Sequence, residues 1–166
     1  ALNINNIDAV IFELAEHFIA ANDKKKILKY VPSAGMRAKD EFAYENAEKY
    51  FRIVRNVMPG IVKKDNYGQW IDLLETHGMI MTFIGMSEDA ISTFNETLPH
   101  ITDIKRKAQI YSMLSKAYLQ KGDFINCELQ VKKGLGILGE NLPVAKLPVY
   151  IRTLKEFLIH VLHSLV

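Results

Sequence analysis

Cysteine is almost absent: Cys127 is the only one in 166 residues. A disulfide framework is thereby excluded, and the chain suits a reducing compartment such as the cytoplasm. No charge of one sign predominates, since 21 Lys and Arg stand against 19 Asp and Glu, for a net charge of +2. That balance gives no electrostatic case for nucleic acid or for an anionic membrane surface. No run of about 20 uncharged apolar residues occurs, so no membrane span is expected. No secretory signal is visible either, because Ala1–Asn6 is polar and Asp8, Glu13 and Glu16 interrupt the first apolar face. The chain begins without methionine and stops inside an apolar stretch, so residues 1–166 read as one segment of a longer chain.

What the chain does have is apolar residues, 49% of the total, at helical spacing. Ile7, Val10, Ile11, Leu14, Ala15, Phe18 and Ile19 form one stripe, closed by Asn22-Asp23. Ile27, Leu28 and Val31 begin a second helix, in which Pro32 predicts a bend near 31–35 because it lacks an N–H donor. After a turn at Phe42-Ala43, a third face carries Tyr44, Ala47, Tyr50, Phe51 and Val54, and Pro59-Gly60 stops it. Trp70, Leu74, Gly78, Met81 and Ile84 mark a long helix ending at Gly85. Ser87 is the expected N-cap of the next, which buries Ala90, Ile91 and Phe94. Thr102 or Asp103 caps a helix carrying Tyr111, Leu114, Ser115 and Tyr118, which Gly122-Asp123 ends. Phe124, Cys127, Val131, Leu135 and Leu138 share a face of the following helix. A final helix, 147–166, carries Tyr150, Ile151, Leu154, Leu158, Val161, Leu162 and Leu165. About eight helices and no strand predict an all-α fold.

These helices repeat. Ala47, Ala90 and Cys127 are small residues of second helices, each with an apolar residue four later: Phe51, Phe94 and Val131. First helices carry Gly35, Gly78 and Ser115 as small residues ahead of the turn, and Tyr118 adds the large apolar member in the last unit. Large and small apolar residues at fixed offsets around a glycine turn are the tetratricopeptide (TPR) pattern. The spacings, 43 and 37 residues, exceed the TPR period of about 34. The expectation is therefore degenerate TPR-like antiparallel hairpins stacked as a right-handed superhelix. The repeats fall at about 24–59, 66–100 and 103–141, between flanking helices 7–21 and 147–166.

Two stretches resemble a family. Residues 15–51, AEHFIAANDKKKILKYVPSAGMRAKDEFAYENAEKYF, and residues 134–143, GLGILGENLP, are similar to the helical-repeat region of the soluble adenylyl cyclase (adenylate cyclase type 10) group and of related cyclase- or kinase-linked signalling ATPases. That family places a His in a first helix before an A-x-D turn, then K-A-L-x-Y-L-x-x-A-G, then F-A-x-x-E-A-x-x-Y. His17, Ala21-Asn22-Asp23, Leu28-Lys29-Tyr30, Ala34-Gly35 and Phe42-Ala43-Tyr44-Glu45-Asn46-Ala47 stand in those places. Pro32 departs from the pattern. The matching motifs are packing motifs, so the resemblance implies a scaffolding or regulatory segment and transfers no catalytic residue.

The chemistry-bearing patterns have plainer readings. Gly134-Leu135-Gly136-Ile137-Leu138-Gly139 spells G-x-G-x-x-G, but the dinucleotide motif needs a strand before it and a helix after it. Here the glycines follow a helix, and they read as close-packing positions and a helix end. His160 and His163 lack a third ligand for zinc. His17, His77 and His100 are single, and Cys127 has no base beside it. Lys24-Lys25-Lys26, Lys63-Lys64, Lys105-Arg106-Lys107 and Lys132-Lys133 read as solvated faces. A carboxylate clamp of the TPR kind is incomplete, since its positions hold Lys116 but also Asp72, Glu75, Met79 and Met36. No cofactor, metal or catalytic residue is expected. The expected partners are proteins or other domains of the same chain, with helix 147–166 packing on a neighbouring repeat. A stand-alone TPR adaptor binding a peptide in its concave groove is the alternative.

Overall fold

A computed structural model describes residues 10–58 and 67–140. These form seven helices: α1 (Ile11–Ala20), α2 (Lys24–Asp40), α3 (Tyr44–Val57), α4 (Tyr67–Phe83), α5 (Ser87–Thr97), α6 (Ile104–Gln120) and α7 (Phe124–Ile137). A 3₁₀ turn, Leu98–His100, follows α5. Among the described residues there is no strand, and the fold class is all-α. Helices α2 and α3, α4 and α5, and α6 and α7 pack as hairpins, and each hairpin also touches the next. The expected helix 147–166, the Pro59-Gly60 stop and the His160/His163 pair lie outside the described residues.

One device makes most of the turns. The amide two residues past the C-cap reaches back across the last turn: Asp23 to Phe18, Ala43 to Ala38, Met86 to Met81, Asp123 to Tyr118 and Glu140 to Leu135, at 2.8–3.2 Å. This Schellman closure needs a left-handed residue before the donating amide. Gly85 and Gly122, both at φ +80°, supply it without a Cβ clash. Asn22 (φ +51°) and Phe42 (φ +61°) adopt it with side chains attached. Asp23, Asp103 and Asp123 then cap α2, α6 and α7 by accepting from the amides of Lys26, Arg106 and Asn126.

One local expectation is corrected, at Ser87. Helix α2 continues on both sides of Pro32, from Lys24 to Asp40. The missing N–H deprives only the Leu28 carbonyl of its usual donor, while Val31, Ala34, Gly35 and Ala38 are buried on both sides of it and hold the helix together. Ser87 is not an N-cap: it is the first residue of α5, Met86 occupies the cap without a side-chain bond, and the Ser87 hydroxyl faces Gln120 at 3.3 Å.

Two cores share α4. Leu73 and Ile80 join Ile11, Ala15, Ile27, Val31, Ala47, Tyr50, Phe51 and Val54 in the first. Ile71, Leu74 and Met81 join Ala90, Phe94, Ile101, Ile110, Leu114 and Ala117 in the second. Half-buried Trp70 packs against both. Within the first two hairpins a glycine admits an aromatic ring. A Cβ on Gly35 would lie 2.9 Å from Phe51, and one on Gly78 would lie 2.8 Å from Phe94. Ala47 and Ala90, each four residues before those rings, are fully buried. The first hairpin is tied to α1 through Glu16, which accepts from Lys49 Nζ at 2.8 Å and Tyr50 Oη at 3.0 Å. Burial and that carboxylate push the Tyr50 phenol up to about 12.

The third hairpin packs differently. Cys127, expected at the buried small position, is only half-buried, as are Ser115, Val131 and Tyr118. Phe124 and Leu138 are exposed. The only buried residues of α7 are Gln130 and Gly134. The reason is that α7 makes its substantial contacts with α6 alone among the described helices. Close approach in this hairpin falls at Gly134, where a Cβ would stand 3.1 Å from Tyr111 Cβ. Gly134 and Gly136 lie inside α7, and Gly139 ends it at φ +78°. The G-x-G-x-x-G run is therefore helix and helix end.

Candidate functional site: an apolar groove between the first two hairpins

The first helices of successive hairpins do not meet equally. Helices α4 and α6 touch, whereas α2 and α4 make no comparable contact. Between α2 and α4 lies a groove of about 470 Å³. Each bounding helix presents one face at helical spacing: Leu28, Pro32 and Met36 from α2, Phe51 and Val54 from α3 with Met58 just after it, and Gln69, Asp72, Leu73 and Thr76 from α4. Phe51, Val54, Met58 and Leu73 are buried beneath the groove, while Met36 is 40% exposed at its mouth.

The local sequence explains the shape. The stripe 28-32-36 keeps one face of α2 apolar, and Pro32 leaves the Leu28 carbonyl on that stripe without its amide donor. The α4 wall is polar at its outer edge. There Arg106 of α6 holds Glu75 and Asp72 together, linking the first helices of the second and third hairpins. Hydrogen bonding to Glu75, reinforced by Asp72, raises the Arg106 pKa further. Thr76 Oγ1 donates to the Asp72 carbonyl at 2.9 Å. Asp72 is the single titratable side chain among the described lining residues.

Behind the groove, a polar joint connects the hairpins. The His77 imidazole is 1% exposed and stacks on Phe51, centroids 6.2 Å apart. Its Nε2 is 3.6 Å from Glu48 Oε1, too far for a hydrogen bond, and neither ring nitrogen has a hydrogen-bond partner among the described residues. Glu48 Oε1 also lies 3.1 Å from Arg52 Nε without hydrogen-bond alignment. Arg55 crosses to α5, donating to Thr93 Oγ1 at 2.7 Å and to Glu96 at 2.6 Å. Burial, then the positive charges of Arg55 and Arg52, lowers the His77 pKa to about 4. Burial outweighs the nearby Glu48 carboxylate, which would otherwise favour the imidazolium.

Of the positions read from sequence, Gly35, Ala47, Phe51, Gly78, Ala90 and Phe94 gather in the two cores, and Gly85 and Gly122 form turns. Met36 and Asp72, two positions of the incomplete carboxylate clamp, line the groove. A concave groove belonged to the alternative expectation; its place between α2 and α4 is marked in the sequence by the 28-32-36 stripe. Among the described residues no group of three or more His, Cys, Asp or Glu could hold a metal ion, and no helix is long and apolar enough to cross a membrane. No family model matches the chain, and no curated protein matches its sequence.

Proposed function

We propose that this chain is a non-catalytic, TPR-like scaffold or regulatory segment that receives an apolar stretch of polypeptide in the α2–α4 groove. The observation that carries the reading is the groove itself: three helical faces converge on about 470 Å³ of space whose lining is largely aliphatic, aromatic and thioether. Recognition sites of this kind pair an apolar floor with a few fixed polar groups. Here those groups are Gln69, Asp72 and Thr76. The matched Gly35–Phe51 and Gly78–Phe94 contacts, and the recurring turn, support stacking as TPR-like units in a right-handed superhelix.

The parent, in this reading, is a large cytosolic signalling protein of the adenylate cyclase type 10 kind or a cyclase- or kinase-linked ATPase. That assignment rests on the resemblance of residues 15–51 and 134–143. Any nucleotide chemistry would belong to other domains of the parent, and the polypeptide in the groove is a partner protein or one of those domains.

Selection of displayed peptides on the chain tests the groove. The expected outcome is an apolar consensus whose binding shifts the methyl signals of Leu28, Met36 and Leu73 and weakens at least about tenfold in Met36→Glu, since a charge would be desolvated. Shifts confined to another face would overturn it. Reading the coding sequence on either side tests the parent. A P-loop or cyclase domain is expected, and neither being present would reject the family.

A further inference from the structure

A buried imidazole with two unpartnered nitrogens needs an explanation, because such groups are rare and costly. His77 sits where α4 meets α3, with Phe51 and the groove on the other side of that contact. The charged groups around it come from several elements. Helix α3 supplies Glu48, Arg52 and Arg55, and α5 supplies Glu96, which is engaged by Arg55. On its own helix, Asp72 and Glu75 are held by Arg106 of α6. Among the described residues only Glu48 is placed to receive a proton-bearing ring, and at 3.6 Å it stands just out of reach.

We propose that His77 is a proton-operated latch between the first and second hairpins. Neutral, the ring packs against Phe51 and the joint stays shut. Protonated, it would carry a buried charge that Arg55 and Arg52 oppose, so α4 draws away from α3 and water reaches the ring. The geometry supports a local opening. His77 lies at the contact between hairpins, α4 carries one wall of the groove, and α2 and α3 carry the others. Opening the joint would therefore change the groove's width.

The direction follows from linkage. An exposed imidazole titrates near 6.5, and the enclosed one is pushed down to about 4. The open form therefore binds the proton more tightly, so the shut joint is fully favoured above about pH 6.5 and is lost as pH falls towards 4.

Trp70, the chain's one tryptophan, packs against both cores and reports on the joint. Its fluorescence in the 166-residue chain should change reversibly between pH 6.5 and 4 while far-ultraviolet helix signal holds. In His77→Gln the change should vanish. In Glu48→Gln it should persist and move to higher pH, because the shut form loses the anion that favours the imidazolium and binds the proton still less tightly. The Glu48 variant keeps the test open if His77→Gln does not fold. A Trp70 change that survives in His77→Gln, one that moves to lower pH in Glu48→Gln, or one that coincides with loss of helix would each overturn the latch.

Discussion

At the scale of the residue, the same substitution has opposite consequences at different glycines. A Cβ at Gly78 meets the ring of Phe94, which is fully buried and has nowhere to go. Gly78→Ala should lower stability by about 1–3 kcal/mol, despite alanine's better helix propensity. Gly136 lies inside α7 with nothing within 4 Å of its missing Cβ. Gly136→Ala should raise stability by about 0.5–1 kcal/mol. Urea unfolding of the two variants beside the parent chain measures both signs. The Gly35–Phe51 and Gly78–Phe94 positions were legible in sequence because a small and a large residue recur at fixed offsets. Phe42 was legible as a turn but not as a left-handed residue, since nothing about phenylalanine announces a positive φ.

At the scale of the element, one side chain ties α3 to α5 by hydrogen bonds. Arg55 satisfies the Thr93 hydroxyl and the Glu96 carboxylate together. Arg55→Ala should cost about 1–3 kcal/mol, because fully buried Thr93 keeps only its weak sulfur contact to Met81. The same change removes a positive charge near His77, so the shut form holds the proton more easily and this charge effect should move the Trp70 transition to lower pH; a pH titration of the variant checks the direction. Periodicity exposed the helices and the turns. It could not expose Glu48 against His77, or Arg106 against Asp72 and Glu75, because these pairs bridge hairpins and depend on how the helices rotate when they dock. In α7 the apolar residues keep helical spacing, with no described neighbour on their outer side.

At the scale of the whole molecule, contacts run mainly from each helix to the next, as in arrays whose stability is a sum of units and joints. Helix α4 contributes to two cores, and α7 buries only Gln130 and Gly134 among its described residues. Hydrogen exchange should therefore be slowest in α3 and α4 and fastest in α7, with a graded rather than uniform pattern. Equal protection in all seven helices would show a single cooperative unit. The all-α class was readable from helical spacing alone. The groove was not, because it arises from a contact that α4 and α6 make and that α2 and α4 do not.

Thioethers line that groove as well as hydrocarbon. Met36 stands 40% exposed at its mouth, and Met58 is buried in its floor. Oxidation would turn the flexible apolar side chain of Met36 into a polar sulfoxide, reversible by methionine sulfoxide reductases. Mild peroxide should therefore weaken apolar peptides in the groove and leave both cores folded, and Met36→Leu should resist it; peptide affinity before and after treatment, with mass analysis of the oxidised methionines, decides. Occupancy of the groove would then follow the oxidant level of the surrounding compartment.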